Sequence, residues 1–304
     1  MSIELSTPDV GDLGGVVGAL RHWQRDAAPI QLHPGDLGWF WQLGATATAA
    51  ALRTWSRDGR LLAVGLLDSP ALLRWTVAPE AEHDEALARR VAADLAAADR
   101  GVLPQGASSV EAPPGARLHD LRLEVGWEEG ERWTPLKRDL TNVVEEPVVR
   151  VEVVGPEQAA ASAAVHRSAF SGDRYTDELW HTVTTGLPYR DARSLLAYDE
   201  EDHPVAEVTV WSAGNGRPGL LEPMGVHAEH RGRGYGRQIS LAAAAALRRL
   251  GSSSAMVCTP SANVGAVATY QAAGFRPGPE RRDRTLTPGP VTPSANPTPP
   301  IPRP

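Results

Sequence analysis

Arg231-Gly-Arg-Gly-Tyr-Gly236 is the stretch of this chain best suited to chemistry. Three glycines alternate there with two arginines and a tyrosine, between an apolar run (Leu220 to Val226) and a helix-forming one (Gln238 to Leu250). The order predicts strand, loop and helix. The first turn of a helix leaves backbone N–H groups unpaired and carries the positive end of the helix dipole, so phosphate oxygens settle there. Glycine at 232, 234 and 236 offers no Cβ to hold a phosphate away.

Spacing narrows the kind of phosphate. A nucleoside-triphosphate loop needs a lysine after its last glycine, and the only lysine is Lys137, far upstream. A dinucleotide fingerprint needs a third glycine where Arg237 stands. What remains, R-x-x-G-x-G from Arg231 through Gly234 to Gly236, resembles the acyl-coenzyme A pyrophosphate loop of the GNAT N-acetyltransferase superfamily. Further on, Ala255-Met-Val-Cys-Thr259 reads as a strand, followed by Asn263, Tyr270 and Gly274-Phe275. These are similar to that family's second signature: an Asn after the fifth strand, a Tyr on the next helix and a Gly-Phe pair opening the next strand.

The resemblance implies an α/β fold of the α+β kind, a mixed, mainly antiparallel sheet flanked by helices. It implies acetyl-coenzyme A as co-substrate, with no metal, held by Val226, His227, Ala228, Arg231, Gly232, Arg233, Gly234, Tyr235, Gly236 and Asn263. It also implies roles for two side chains. Glu222 shares a strand face with Met224 and Val226 by even spacing. It is either a general base for an attacking ammonium or a surface carboxylate in a salt bridge. Tyr270 matches the tyrosine that protonates the departing thiolate, or else is a core residue of its helix. Asn263 also suits a helix cap. Pro223 cannot donate to a sheet ladder, so a bulge or unpaired edge is expected beside Glu222. In the family this strand splays from its neighbour, and the Val226 N–H would face the thioester carbonyl.

Laid on itself at an offset of 149, the chain aligns Ala71-Leu-Leu-Arg-Trp-Thr-Val77 with Leu220 to Val226. At 148, Leu123-Glu-Val-Gly126-Trp127 echoes Gln271 to Phe275. Two tandem GNAT-like domains follow: 1–141, degenerate, and 148–284, which would bind the cofactor. Glu82, Glu85 and Leu87 stand in the first copy where the second has Arg231, Gly234 and Gly236, and Arg122 stands for Tyr270. Carboxylates at that helix start suit its dipole but repel a pyrophosphate. Residues 285–304, proline-rich and nearly devoid of large apolar side chains, are expected to be a disordered tail.

Composition narrows the partners. With 304 residues, a hydrophobic fraction of 42% and a net charge of −7, the chain is expected to be a cytoplasmic protein that binds neither nucleic acid nor membrane. Oligomeric state is left open. The single Cys258, flanked by apolar residues, reads as a strand thiol. No histidine has metal-ligand spacing. The acceptor is expected to be a small-molecule amine, near His166, Phe170, Asp173, Tyr175, Asp177, Glu178, Trp180 and Tyr189, where acids mix with aromatics. A protein amine, or acyl-coenzyme A binding without catalysis, remains the alternative.

Overall fold

The structure is a computed structural model and describes residues 2–103, 108–124, 127–171 and 174–286. The first half runs β1 (Glu4–Ser6), α1 (Leu13–Trp23), α2 (Pro34–Phe40), α3 (Ala45–Ala51), β2 (Leu52–Arg57), β3 (Arg60–Ser69), β4 (Leu72–Val77), α4 (Glu85–Ala96), β5 (Ser108–Glu111), α5 (Arg117–Glu124) and β6 (Glu128–Asp139). The second runs β7 (Val151–Val153), α6 (Ala159–Ala169), α7 (Asp177–Thr184), β8 (Ala192–Tyr198), β9 (Pro204–Ser212), β10 (Gly219–Val226), α8 (Tyr235–Arg249), β11 (Ser254–Pro260), α9 (Val264–Ala272), β12 (Arg276–Pro277) and β13 (Arg281–Leu286).

The two halves repeat one plan. In each, an antiparallel meander (β1 to β4; β7 to β10) leads to a helix and then to a strand that pairs in parallel with the meander's last strand, β5 on β4 and β11 on β10. The expected mixed, mainly antiparallel sheet is present, with helices packed on it. Local pattern explains the helices. Helix α1 buries Leu13, Val16, Val17, Leu20 and Trp23, the 3–4 spacing of one helical face. Helix α8 buries every residue from Ile239 to Leu247. Its run of alanines lets it lie close against β8 to β11. Each half has an apolar core of its own, around Trp55, Leu66, Leu73 and Leu118 in the first, and around Val208, Leu221, Ile239 and Phe275 in the second.

The halves are joined by exchange. Strand β6 closes the first half in sequence yet pairs antiparallel with β11 of the second, from Ser254↔Asp139 to Pro260↔Trp133. Strand β13 closes the second half yet pairs with β5 of the first, Arg284↔Val110. The two closing strands also pair with each other, so a single sheet runs across the molecule in the order β5-β13-β6-β11. The polar connector near 141–147 therefore marks where the chain passes between repeats, while the sheet hydrogen bonding continues across it. Strand β13 extends to Leu286, two residues into the stretch expected as a tail. The remainder of that stretch, and Gly126 of the internal echo, lie outside the described residues.

Candidate functional site

The glycine loop, the candidate donor loop, follows the place where β10 and β11 part. They pair in parallel only at Gly219↔Ala255 and Leu220↔Met256. Beyond these, β10 bulges against β9 between Leu221 and Met224, where the Glu222–Pro223 peptide is cis. This is the irregularity expected of a proline in that strand. After the bulge, the His227 N–H donates to the Val205 carbonyl at 2.9 Å. Alternation in an antiparallel ladder then turns the Val226 N–H away from β9, towards the gap between the splayed strands.

Glycines 232 and 234 lie at φ +76° and +85°, the left-handed region, and a Cβ on either would meet no protein atom within 4 Å. Gly234 caps α8 with no side chain, and the first turn of α8 carries no acidic residue. The N–H groups of Tyr235, Gly236 and Arg237 thus begin the helix beside open space, as an anion requires. Gly236 also has a packing role. A Cβ there would lie 2.8 Å from Thr269 Cγ2, so its bareness lets α8 approach α9. Arg231 donates to the Ala169 carbonyl at 2.7 Å, which ties the loop to the end of α6.

A cavity of about 730 Å³ holds Val226, Arg231, Gly232, Gly234, Tyr235, Gly236 and Asn263 on its wall. His227, Ala228 and Arg233 are not on that wall. The Ala228 N–H donates to Ser168 Oγ at 3.0 Å, and Arg233 is exposed. Asn263 caps α9, accepting from the Ala266 N–H at 3.1 Å, and lines the cavity as well. The residues present fit a pyrophosphate carried on an extended arm.

A second cavity, about 430 Å³, adjoins the first. Phe170, Met224, Asn263 and Ala266 belong to both walls. Glu222, Tyr270 and Cys258 line the second cavity. So do Asp36, Asp68, Arg74 and Glu111 from the first half, Arg281 and Asp283 from β13, and the rings of Trp39 and Trp133. Five carboxylates stand against two guanidinium groups. Arg74 contacts Asp36 at 2.8 Å, Glu111 at 2.9 Å and Glu222 at 3.8 Å. Arg281 contacts Glu111 at 2.5 Å and Asp283 at 3.7 Å.

This crowding shifts the acids apart. Burial works against the Glu111 carboxylate, but Arg74 and Arg281 hold its pKa down to about 2. Burial raises Glu222 well above the ordinary carboxylate range. Asp36 adds to the rise and Arg74 opposes it. Asp283 is pushed up to about 6, chiefly by burial and then by Glu111. Burial pushes the Cys258 thiol up to about 12, so it stays protonated and is no nucleophile. Tyr270 is 5% exposed. Burial first, then Glu222, Glu207 and Cys258, raise its hydroxyl above the usual tyrosine range, so it carries its proton at working pH.

Most of the expected acceptor residues lie elsewhere. Only Phe170 reaches the second cavity. His166 is buried against Glu207 at 3.0 Å and stacks among Trp39, Phe170 and Tyr175. Tyr175 and Trp180 are core residues, Asp177 and Glu178 open α7, and Tyr189 bonds Ser194. Asp173 lies outside the described residues. The sequence did carry a sign of this cavity's wall. Arg74 interrupts the apolar strand Leu72–Val77, and a charge in such a strand needs a partner.

In the first half, the helix start matching the donor loop is filled by the chain itself. Asp84 caps α4 by accepting from the Leu87 N–H at 2.9 Å and pairs with Arg57 at 2.9 Å. Glu85 pairs with Arg89 and Arg117, and the Arg117 N–H donates to the Glu82 carbonyl. A further cavity, about 760 Å³, lies between Ala28–Ile30 and Arg276–Arg281 and touches none of the candidate donor or catalytic residues. No helix among the described residues is long and apolar enough to cross a membrane.

Residues 163–275 match the model of the acetyltransferase (GNAT) family, spanning the donor loop, Asn263, Tyr270 and Phe275. This chain thus carries a GNAT-family domain over those residues. Its fold is similar to three solved structures. One is a tandem GNAT protein from the clavulanic acid biosynthesis pathway, 16% identical, with TM-score 0.59 over 94% of this chain and 98% of that one. The second is a GCN5-related N-acetyltransferase from Sphaerobacter thermophilus, 16% identical, with TM-score 0.57 over 94% and 96%. The third is a GNAT-family acetyltransferase from Colwellia psychrerythraea, 16% identical, with TM-score 0.57 over 94% and 99%. At such identity the likeness speaks for the fold, and its coverage includes both halves of the chain. No curated protein matches the sequence. The chemistry of the GNAT family is acyl transfer.

Proposed function

We propose that this protein transfers an acetyl group from acetyl-coenzyme A to a primary amine of a cationic small molecule, by direct attack. The observation that carries the reading is the second cavity. It adjoins the donor cavity at Asn263 and Met224, and its five carboxylates exceed its two guanidinium groups by three formal negative charges. An ammonium is drawn into such a space, and the faces of Trp39, Trp133 and Phe170 add cation–π attraction.

The bound donor supplies an acyl thioester. The chain's own groups do the rest. The first-turn N–H groups of α8 and the open glycines 232 and 234 hold the pyrophosphate. The Val226 N–H, turned into the strand gap, donates to the carbonyl oxygen, a contribution of about 3 kcal/mol to the transition state. Glu222, when ionised, takes the ammonium proton. Its raised pKa suits it to hold that proton at neutral pH. As the nitrogen bonds to the carbonyl carbon and the C–S bond breaks, Tyr270 gives its proton to the leaving thiolate and is reprotonated by the second proton that the nitrogen sheds, directly or through solvent. A thiol held near pKa 12 at Cys258 offers no acyl-enzyme route, which favours direct attack.

The test is calorimetric titration of acetyl-coenzyme A into the full chain, followed by thiol release with cadaverine, spermidine, an aminoglycoside, neutral amines and acidic amino acids. One donor bound per chain and faster release with the polycationic amines are expected. Equal rates with anionic amines would sink the charge argument, and binding without release under any amine would point to a sensor.

A further inference from the structure

The first half has no open donor loop, yet it reaches Glu222 by two routes. Helix α2 begins with a capping box in which the His33 N–H donates to the Asp36 carboxylate, and Asp36 is 3% exposed. The buried His33 ring is kept neutral, its pKa lowered to about 4 chiefly by burial. Its Nδ1 accepts from the Gly35 N–H, and its Nε2 donates to the Pro218 carbonyl, just before β10, at 3.2 Å. Gly35 and Gly38 lie flat on Trp211 of β9, where a Cβ would come within 2.5 and 2.2 Å of the side chain. The Trp211 indole N–H in turn donates to the Glu222 carbonyl at 2.6 Å. That is the backbone route. The side-chain route runs from Asp36 to Arg74 at 2.8 Å and from Arg74 to the Glu222 carboxyl at 3.8 Å.

We propose that Asp36 and Arg74, both from the first half, are positioning residues that hold the Glu222 carboxyl at the acceptor cavity and tune its readiness to take a proton. The inference rests on the reading of Glu222 as the base. Asp36 repels the ionised carboxylate and Arg74 attracts it. The other groups facing this point are Asp68 of β3, Glu111 of β5, Arg281 and Asp283 of β13, Glu207 of β9, Cys258 of β11 and Tyr270 of α9. Of these, Glu111 also holds Arg74, at 2.9 Å; Asp36 and Arg74 carry opposite charges, so changing one or the other should act on Glu222 in opposite directions.

The experiment is an NMR titration of the full chain carrying ¹³C-labelled glutamate carboxyls, with the Glu222 resonance assigned by its loss in Glu222→Gln. Asp36→Asn keeps an oxygen for the His33 N–H, so the helix cap survives while the charge goes. Its Glu222 midpoint should fall, on the order of a pH unit or more, because a neighbouring like charge disfavours the ionised carboxylate. Arg74→Gln should raise it. Because Arg74→Gln leaves Asp36 and Glu111 without their partner and can unfold the chain, Asp36→Asn carries the decision. A midpoint in Asp36→Asn that coincides with the parent's overturns the inference, whatever turnover does. The acidic limb of kcat/KM, measured with the amine that the panel turns over, should shift together with the NMR midpoint. A limb that stays fixed while the midpoint moves overturns the base reading instead, and with it the catalytic purpose of the pair.

Discussion

Gly234→Ala separates the donor site from the fold around it. Gly234 holds φ +85° and ψ −3° at the start of α8, and a Cβ there meets nothing within 4 Å. The substitution creates no clash inside the protein, so its whole cost in stability is the left-handed strain of an alanine, roughly 1–2 kcal/mol. The new methyl group does occupy the space in front of the helix N–H groups. Losing one hydrogen bond to a charged oxygen costs about 1.5–3 kcal/mol, which corresponds to a rise in Kd of roughly 10- to 150-fold. Gly59→Ala is the control. Gly59 turns the β2–β3 hairpin at φ +75°, also with open surroundings, and is remote in sequence from the loop. Urea unfolding should show similar losses for the two variants, and calorimetry with acetyl-coenzyme A should show weaker binding for Gly234→Ala alone. If Gly234→Ala binds as tightly as Gly59→Ala, the pyrophosphate does not sit against this loop.

Tyr270→Phe keeps the ring packing against Phe275 and removes only the hydroxyl. Donor affinity should be unchanged while kcat drops by on the order of 10²-fold, and turnover at the parent rate would remove Tyr270 from the proton path. Asp283→Asn tests the strain in the acceptor cavity. Folding raises the Asp283 pKa to about 6, so the folded chain binds that proton more tightly than the unfolded one. The penalty is absent below the unfolded value of about 4 and complete above about 6. The variant should therefore gain stability over the parent at about pH 7.5, by on the order of 1–3 kcal/mol, and little at about pH 4.5, by urea unfolding. An equal difference at both pH values would mean that ionisation of Asp283 carries no cost.

The geometry of the glycine loop and the Asn263 cap was legible because it is local. Helix starts, left-handed glycines and an Asn cap are written in neighbouring residues, and Arg231 to Gly236 with Asn263 to Phe275 specify them directly. Repetition at offsets 149 and 148 revealed two copies for the same reason. The exchange of β6 and β13 could not be read this way. Each closing strand would satisfy its backbone equally on its own half, and the choice lies in contacts made by residues more than a hundred positions apart, such as Met256↔Lys137. The wall of the second cavity is not legible in the second half alone. Asp36, Asp68 and Glu111 look like ordinary surface acids one at a time, and only folding gathers them around Arg74. Gly236 shows the limit of motif reasoning even inside the loop, since the same missing Cβ serves helix packing there.

On the proposed function, the two repeats divide the chemistry between them. The first has closed its helix start with Asp84, Glu85 and Arg117, which removes an anion site, and its strands present carboxylates to the other repeat's catalytic strand. Such a wall is unfavourable in an empty protein. Burial raises Asp68, Glu222 and Asp283 together, and each carboxylate makes its neighbours harder to ionise. An arriving cation relieves this repulsion, so part of its binding energy comes from strain already present in the folded chain. The arrangement also sets the direction of proton flow. Glu111, pinned by two arginines, cannot accept a proton near neutral pH, whereas Glu222, pinned by none as closely, can. Under the proposed function, a proton leaving a bound ammonium would be directed to the carboxyl beside the splayed strands, where the thioester carbonyl would lie.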